Sequence, residues 1–263
     1  MNTATKLVFT LFCIALLTAC QQTPSTKAPP VIDGHTSQNA LDWAGVYTGT
    51  LPCASCPGIE TLITINQNGE FIKQEHYINT QGSYVEQGQI EWQDDGTVIH
   101  LLGDDVGAVN YYKVVENALL HLNADKQVIS GDMAEFYRLE KTHMTLQQTD
   151  WQLIEVVNVA YKDEVLARVS MRFDDQGRLN GKAPCNRFFA DYQTDEGALE
   201  LERVGSTKMA CEYMHEEQQF FAALAEVNSF DVELNELILK DADKQPLLRF
   251  RAKVDKNGTQ SKD

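Results

Sequence analysis

Six cysteines carry most of the chemistry that this 263-residue chain offers. Cys53 and Cys56 are separated only by Ala54 and Ser55. A Cys-x-x-Cys spacing suits a redox pair, a short disulfide or a two-thiolate metal site. A thioredoxin-type catalyst needs a helix N-terminus at its first cysteine to lower the thiol pKa. Here Pro52 and Pro57-Gly58 bracket the pair and strand-forming residues follow, so oxidoreductase catalysis is not expected. When reduced, the two thiolates suit Cu(I), because soft sulfur favours that ion and two sulfurs can ligate it linearly. Met209, Cys211, Met214 and His215 also carry letters that suit a soft ion. Met209 and Met214 are expected to pack the core where a helix begins, with Cys211 bridged and His215 solvated. His76, His100 and His121 fall in expected strands without metal-ligand spacing. The sequence contains no phosphate-binding glycine loop and no Gly-x-Ser-x-Gly elbow. A non-catalytic protein is expected, with no required cofactor and copper as the one candidate.

Lys plus Arg number 22 against 38 Asp plus Glu, a net charge of −16. Nucleic-acid affinity rests on cations neutralising phosphates, so that class of partner is excluded. So is a basic face docking on anionic lipid. The composition is 43% hydrophobic, enough for packed cores and against wholesale disorder. Residues 1–19 hold one charge, Lys6, followed by an apolar run from Leu7 to Leu17. That run is too short for a bilayer span but fits a secretory signal. Its end, Leu17-Thr18-Ala19-Cys20, resembles the lipobox of bacterial lipoproteins. The resemblance implies cleavage before Cys20, loss of Cys13 with the leader, and acylation of Cys20, which anchors the chain to the membrane. Two or three acyl chains hold stably where one is marginal. Gln21 stands where an Asp would retain a lipoprotein at the inner membrane, which implies the periplasmic face of the outer membrane. Removing Lys6 and no acid takes the charge from −16 to −17.

Residues 20–41 follow as a tether, with Pro24, Pro29 and Pro30 among small polar residues. Fully extended it reaches about 60–70 Å. Residues 42–142 read as short strands and tight turns. Ile63 and Ile65 alternate with Leu62 and Thr64, Asn68-Gly69 marks a hairpin, and Phe71 to Ile78 returns. Ile90 to Trp92 with Val98 to Leu101, and Tyr111 to Val115 with Leu119 to Leu122, make two more hairpins; Phe136 to Leu139 closes the set. About eight strands at this spacing predict a small antiparallel barrel or sandwich. Residues 149–251 change grammar. Trp151 to Ile154 starts a strand, and Ala167, Val169, Met171 and Phe173 alternate with polar residues. A helix is predicted over 212–227, with Met214, Phe221, Leu224 and Ala225 on its inner face and Glu216 and Glu217 outward. Leu237 to Lys240 and Leu247 to Phe250 form a last hairpin. Residues 252–263 read as a disordered tail.

Two resemblances follow from specific residues. Trp43 through Thr61, above all Leu51-Pro52-Cys53-Ala54-Ser55-Cys56-Pro57-Gly58-Ile59-Glu60-Thr61, resemble the N-terminal domain of the NlpE family of copper-resistance and envelope-stress lipoproteins. Weaker matches at Glu75-His76-Tyr77, Tyr112 to Val115 and Phe136 to Leu139 extend it across the body. The implied fold is a small lipocalin-like β-barrel. Trp151-Gln152-Leu153, Gly181 through Phe188, Tyr192 and Ser206-Thr207-Lys208-Met209-Ala210-Cys211 resemble the META domain of HslJ-like proteins. That domain implies an α+β body with one main helix packed on a sheet. NlpE proteins carry a different, OB-like second half.

Four cysteines remain after Cys13 and Cys20. An even count in an oxidising compartment favours two disulfides, with three connectivities open. The domain division selects Cys53–Cys56 and Cys185–Cys211. By resemblance, the chain senses envelope stress or supports copper tolerance, with an envelope-stress sensor kinase as the implied partner. Two rival readings remain. In one the barrel binds an apolar or acyl ligand; in the other the META domain acts on envelope integrity through protein contacts.

Overall fold

The computed structural model describes residues 34–80, 83–93, 96–104, 110–147 and 149–253. The fold is mainly β: two successive eight-stranded antiparallel barrels, both closed. The first contains β1 (Gly45–Leu51), β2 (Ile59–Ile65), β3 (Glu70–Tyr77), β4 (Ser83–Gln93), β5 (Val98–Leu102), β6 (Tyr111–Val115), β7 (Ala118–His121) and β8 (Arg138–Thr142). Each strand pairs with the next, and β8 returns to β1 through Val46↔Thr142 and Thr48↔Glu140. Two-residue periodicity decides the interior. Tyr47, Leu51, Ile63, Ile65, Phe71, Ile99, Tyr112, Val114, Leu119 and Leu139 form one buried cluster. Gly69, at φ 85°, makes the β2–β3 turn that a side chain would strain.

Two details depart from the expected pattern. Phe136 is not in a strand: Ala134–Tyr137 form one 3-10 turn that leaves it exposed, and β8 starts at Arg138. The end of the expected tether is ordered. Helix α1 (Ser37–Ala40) follows Thr36, whose N–H donates to Asn39 Oδ1. Ser37 Oγ donates to the Val114 carbonyl at 2.8 Å, and Leu41 and Trp43 pack on the core. Trp43 meets Trp92 edge to face at 5.5 Å, so indole rings lie at the end of the barrel where α1 sits.

The second barrel contains β9 (Asp150–Val156), β10 (Ser170–Phe173), β11 (Arg178–Lys182), β12 (Arg187–Asp195), β13 (Ala198–Ser206), β14 (Ser229–Glu233), β15 (Glu236–Lys240) and β16 (Pro246–Ala252). The sheet expected under one helix thus closes on itself, β16 pairing with β9. Its narrowest closure is between β13 and β14, joined through the single pair Ala198↔Ser229. Helix α3 (Met214–Ala225) belongs to this connection. Trp151, fully buried, donates Nε1–H to the Leu146 carbonyl at 3.0 Å. The alternation expected from Ala167 begins only at Ser170, because helix α2 (Asp163–Leu166) and its closing turn take the preceding residues. Strand β16 runs one residue into the expected tail, burying Ala252.

The barrels are not independent bodies; the described residues from His35 onward form one compact unit. Val46 and Leu62, on the outer face of β1 and β2, join the second core beside Leu146 and Trp151. Gln74 Nε2 donates to the Ala252 carbonyl at 3.0 Å.

Burial gives the first barrel a pH signature. Tyr47 is pushed up to about 12 by burial and then by the Asp42 carboxylate. Tyr112 is raised further, by burial first and then by Glu75 and Glu86. Above pH 10 the unfolded chain releases phenol protons that the folded chain keeps, so stability falls as pH rises from 10 to 12. For a fully buried tyrosine the slope is at most about 1.4 kcal/mol per pH unit. Urea unfolding of wild type and Tyr112→Phe at pH 8, 10 and 11 checks this: the variant loses stability with a shallower slope.

Candidate functional site

The end of the first barrel opposite α1 is built differently from its apolar half. Strand β1 ends at Leu51, opposite Ile59 of β2, and Ile59 stands opposite Tyr77 of β3. Residues 52–58 therefore form a loop on the barrel rim. Cys53 and Cys56 are joined there, with Cα atoms 5.3 Å apart. Both are half-buried, while Ala54, Ser55 and Pro57 are exposed. Strand β2 follows at once, so no helix N-terminus faces either sulfur. Gly58 accepts the Ile78 N–H at 3.0 Å, fastening the loop to the β3–β4 connection. A Cβ on Gly58 would lie 2.5 Å from Thr50 Cγ2.

Below this rim the interior is charged. Lys73 and Glu75 share the inward face with Phe71, and Glu86 of β4 stands opposite Lys73. Lys73 Nζ meets Glu86 Oε2 at 2.9 Å and Glu75 Oε1 at 3.6 Å, and it donates to Asn110 Oδ1 at 2.9 Å. Asn110 Nδ2 reaches Glu86 Oε2 at 3.3 Å. Glu86 Oε1 is buried with no hydrogen-bond partner among the described residues. Tyr77 and Tyr84 meet edge to face at 5.5 Å above this cluster, and His121 lies against the Tyr112 ring at 5.0 Å. Two carboxylates face one ammonium here, an arrangement that takes a hydrogen-bond donor or a cation and opposes an apolar chain. The spacing of Lys73 and Glu75 two and four residues after Phe71 is the sequence signal for this cluster. It is easily overlooked, because charged side chains in a strand ordinarily face solvent.

The second barrel holds the other expected pair. Cys185 and Cys211 are bonded, Cα atoms 5.7 Å apart, across a separation of 26 residues. Beside them α3 departs from the expected pattern. Glu217 does not face outward: it is 4% exposed, and Phe220 and Leu224 are the buried residues sharing its face of α3. Its Oε2 accepts the N–H groups of Cys185 at 2.7 Å and Asn186 at 2.8 Å, and Oε1 accepts Asn186 Nδ2 at 2.6 Å. Asn186 also receives the Thr207 hydroxyl and the Met209 N–H on Oδ1, both at 2.7 Å, and donates to the Met209 carbonyl at 3.0 Å. Three convergent donors offset the burial of a carboxylate, which the apolar pattern of the helix could not reveal. The expected packing of Met209 and Met214 is likewise overturned: both are exposed, at 61% and 44%. His215 is exposed, while His76, His100 and His121 lie in β3, β5 and β7. Cys20 and residues 1–19, expected to be a leader, lie outside the described residues.

Two small closed antiparallel barrels in tandem, the first with a Cys-x-x-Cys rim and the second with a helix in the connection across its weakest seam, define a tandem-barrel protein. Residues 47–132 match the NlpE N-terminal domain and residues 144–254 the META domain; the chain joins one to the other. It is 29% identical over 140 residues to the 17 kDa lipoprotein of Treponema pallidum (strain Nichols), covering 49% of this chain and 85% of that one. It is 29% identical over 110 residues to lipoprotein NlpE of Escherichia coli (strain K12), covering 41% of this chain and 44% of that one. The chain thus spans less than half the length of that NlpE. A solved structure of a Shewanella oneidensis protein classed with the lipoproteins is 41% identical, with a TM-score of 0.38, covering 42% of this chain and 99% of that one. Neither matched family indicates catalysis.

The Glu217 network makes a stability prediction. Glu217→Ala strands three donors beside a buried turn and costs about 3 kcal/mol or more, read as a fall in the urea midpoint. Glu226→Ala, on an exposed residue at the end of the same helix, stays within about 0.5 kcal/mol of wild type.

Proposed function

We propose that the chain is a lipid-anchored envelope lipoprotein that acts without catalysis in envelope stress sensing or copper tolerance. The observation that carries this reading is the Cys53–Cys56 loop, set on the rim of an NlpE-type barrel above a charged interior. Both curated relatives are lipoproteins, which supports attachment to a membrane through Cys20, and Gln21 supports the outer membrane. In this reading the tether begins at Cys20 and ends ahead of α1, whose residues dock on the NlpE-like domain, and the META domain runs from 149 through Ala252. A dithiol reductant delivers two electrons and two protons to the Cys53–Cys56 bond, leaving two thiols. These release their two protons to solvent on binding Cu(I) as thiolates, or present an altered rim to a sensor kinase. The charged lining argues against an apolar or acyl ligand, which would cover Lys73 and Glu86 while offering them no hydrogen bond.

Two measurements test the proposal. Wild type is expected in the outer-membrane fraction and Cys20→Ala outside it; a Cys20→Ala protein that still fractionates with the outer membrane removes the anchor. Cu(I) competition titration of the reduced chain is compared with the Cys53→Ser, Cys56→Ser double variant. Loss of at least tenfold in affinity supports the copper site, and equal affinity defeats it.

A further inference from the structure

Met209 and Met214 bury little, so packing does not explain them. They line one open groove beside α3, together with His215, Gln218 and Phe221, and Glu217 lies at its base. The backbone carrying the two thioethers is fixed. Met209 is held through both its N–H and its carbonyl by the buried Asn186 side chain. Met214 is the first residue of α3, and Cys211, between them in sequence, is tied to Cys185. Tyr213 N–H donates to Cys211 Sγ at 3.3 Å, closing the turn into the helix. Glu217 then clamps the helix to the Asn186 loop. With the backbone fixed, binding has to order only the methionine side-chain torsions.

We propose that Met209, Met214 and His215 form a binding site for a soft monovalent ion, Cu(I) in the cell, with two thioethers and one imidazole as donors. Thioether sulfur is soft and selects Cu(I), and imidazole binds copper readily. In an oxidising compartment the cysteines are tied up as disulfides, so methionine and histidine are the soft donors that stay available. The lining residues include one ammonium, Lys208, and one carboxylate, Glu217, so softness rather than net charge makes the selection. The site extends the copper reading to the second barrel and does not depend on the Cys53–Cys56 pair.

The experiment uses the full chain carrying Cys13→Ser, Cys20→Ser, Cys53→Ser and Cys56→Ser, without reductant, so that no free thiol competes for the ion and the Cys185–Cys211 bond stays closed. Silver(I), in chloride-free buffer, is the redox-inert probe, followed by the carbon-13-labelled methionine methyl resonances. Met209 and Met214 are expected to shift together and saturate at one equivalent. Met133, 51% exposed and in the other barrel, is the internal control and should not move with them. Met209→Leu and Met214→Leu, which leave the melting temperature unchanged, are each expected to weaken silver binding at least tenfold, as is His215→Ala. Cu(I) competition with a coloured chelator should follow the same order. Equal shifts at Met133, or unchanged affinity in the leucine variants, overturn the site. Because the probe protein lacks the rim thiols, that failure leaves the Cys53–Cys56 reading untouched.

Discussion

The second barrel depends on a carboxylate withdrawn from water. Strands β13 and β14 share only one pair, so the barrel has a seam that backbone hydrogen bonding alone does not seal. Helix α3 belongs to the connection across that seam, and it has to be held. Phe220 and Leu224 hold it by burial, with Phe188 edge to face against Phe220 at 5.5 Å. Apolar contact is non-directional, however, and would tolerate rotation or sliding of the helix. Glu217 removes that freedom, because its two oxygens meet three donors at fixed positions on the Cys185–Asn186 turn. Asn186 passes the constraint on to Thr207 and Met209. The disulfide lies on the same junction and adds a covalent limit of the kind that closing a loop of about 25 residues supplies, about 3 kcal/mol in the chain-entropy model.

The first barrel solves closure in the opposite way. Its ladder is continuous from β1 to β8 and back, so no side-chain clamp is needed to finish it. Its buried charges sit at one end instead. A buried Lys73 tolerates this position because Glu86 and Asn110 satisfy it directly. Removing Glu86 would leave Lys73 with the longer 3.6 Å approach of Glu75, and removing Lys73 would leave two buried carboxylates facing each other, which is why such pairs are fragile to change yet not a large source of net stability. The polar end and the Cys53–Cys56 loop coincide because register puts them there: Leu51, Ile59 and Tyr77 stand side by side at the same rim.

Much of the architecture is legible in the sequence because it rests on local rules. Alternation at Ile63 and Ile65, the Asn68-Gly69 turn and the repeated hairpin spacing follow from the pleat and from turn stereochemistry, so about eight antiparallel strands can be counted from residue order alone. The Trp43 to Thr61 stretch and the Ser206 to Cys211 stretch carry the two family resemblances. What residue order hides is tertiary compensation. Glu217 looks like a solvated helix residue until the Asn186 turn is brought against it. Met214 looks like a core residue until that contact fixes which face of α3 turns inward, and Met209 does so until Asn186 holds its backbone in the loop ahead of the helix. Closure of the second sheet is equally hidden, since the Leu248↔Val156 and Ala252↔Trp151 pairs of β16 with β9 join residues about a hundred positions apart, and no local pattern reports them. Phe136 departs for a related reason: an aromatic residue in a strand-like run is taken by a 3-10 turn ahead of β8.

The two cysteine pairs therefore cannot act in the same way. The Cys185–Cys211 bond spans a long loop and reinforces a junction that also carries the Glu217 network, so opening it loosens the seam of a barrel. The Cys53–Cys56 bond closes a loop with only Ala54 and Ser55 inside it, and such a loop withholds little entropy from the unfolded chain. Opening that bond leaves the ladder of the first barrel almost as stable as before. Any signal it carries must be geometric and local, passed from the rim through the hydrogen bond between Ile78 N–H and the Gly58 carbonyl to the β3–β4 connection beside Tyr77 and Tyr84. The same physics that makes the short bridge a poor staple confines the effect of its opening to the rim and leaves the body beneath it folded.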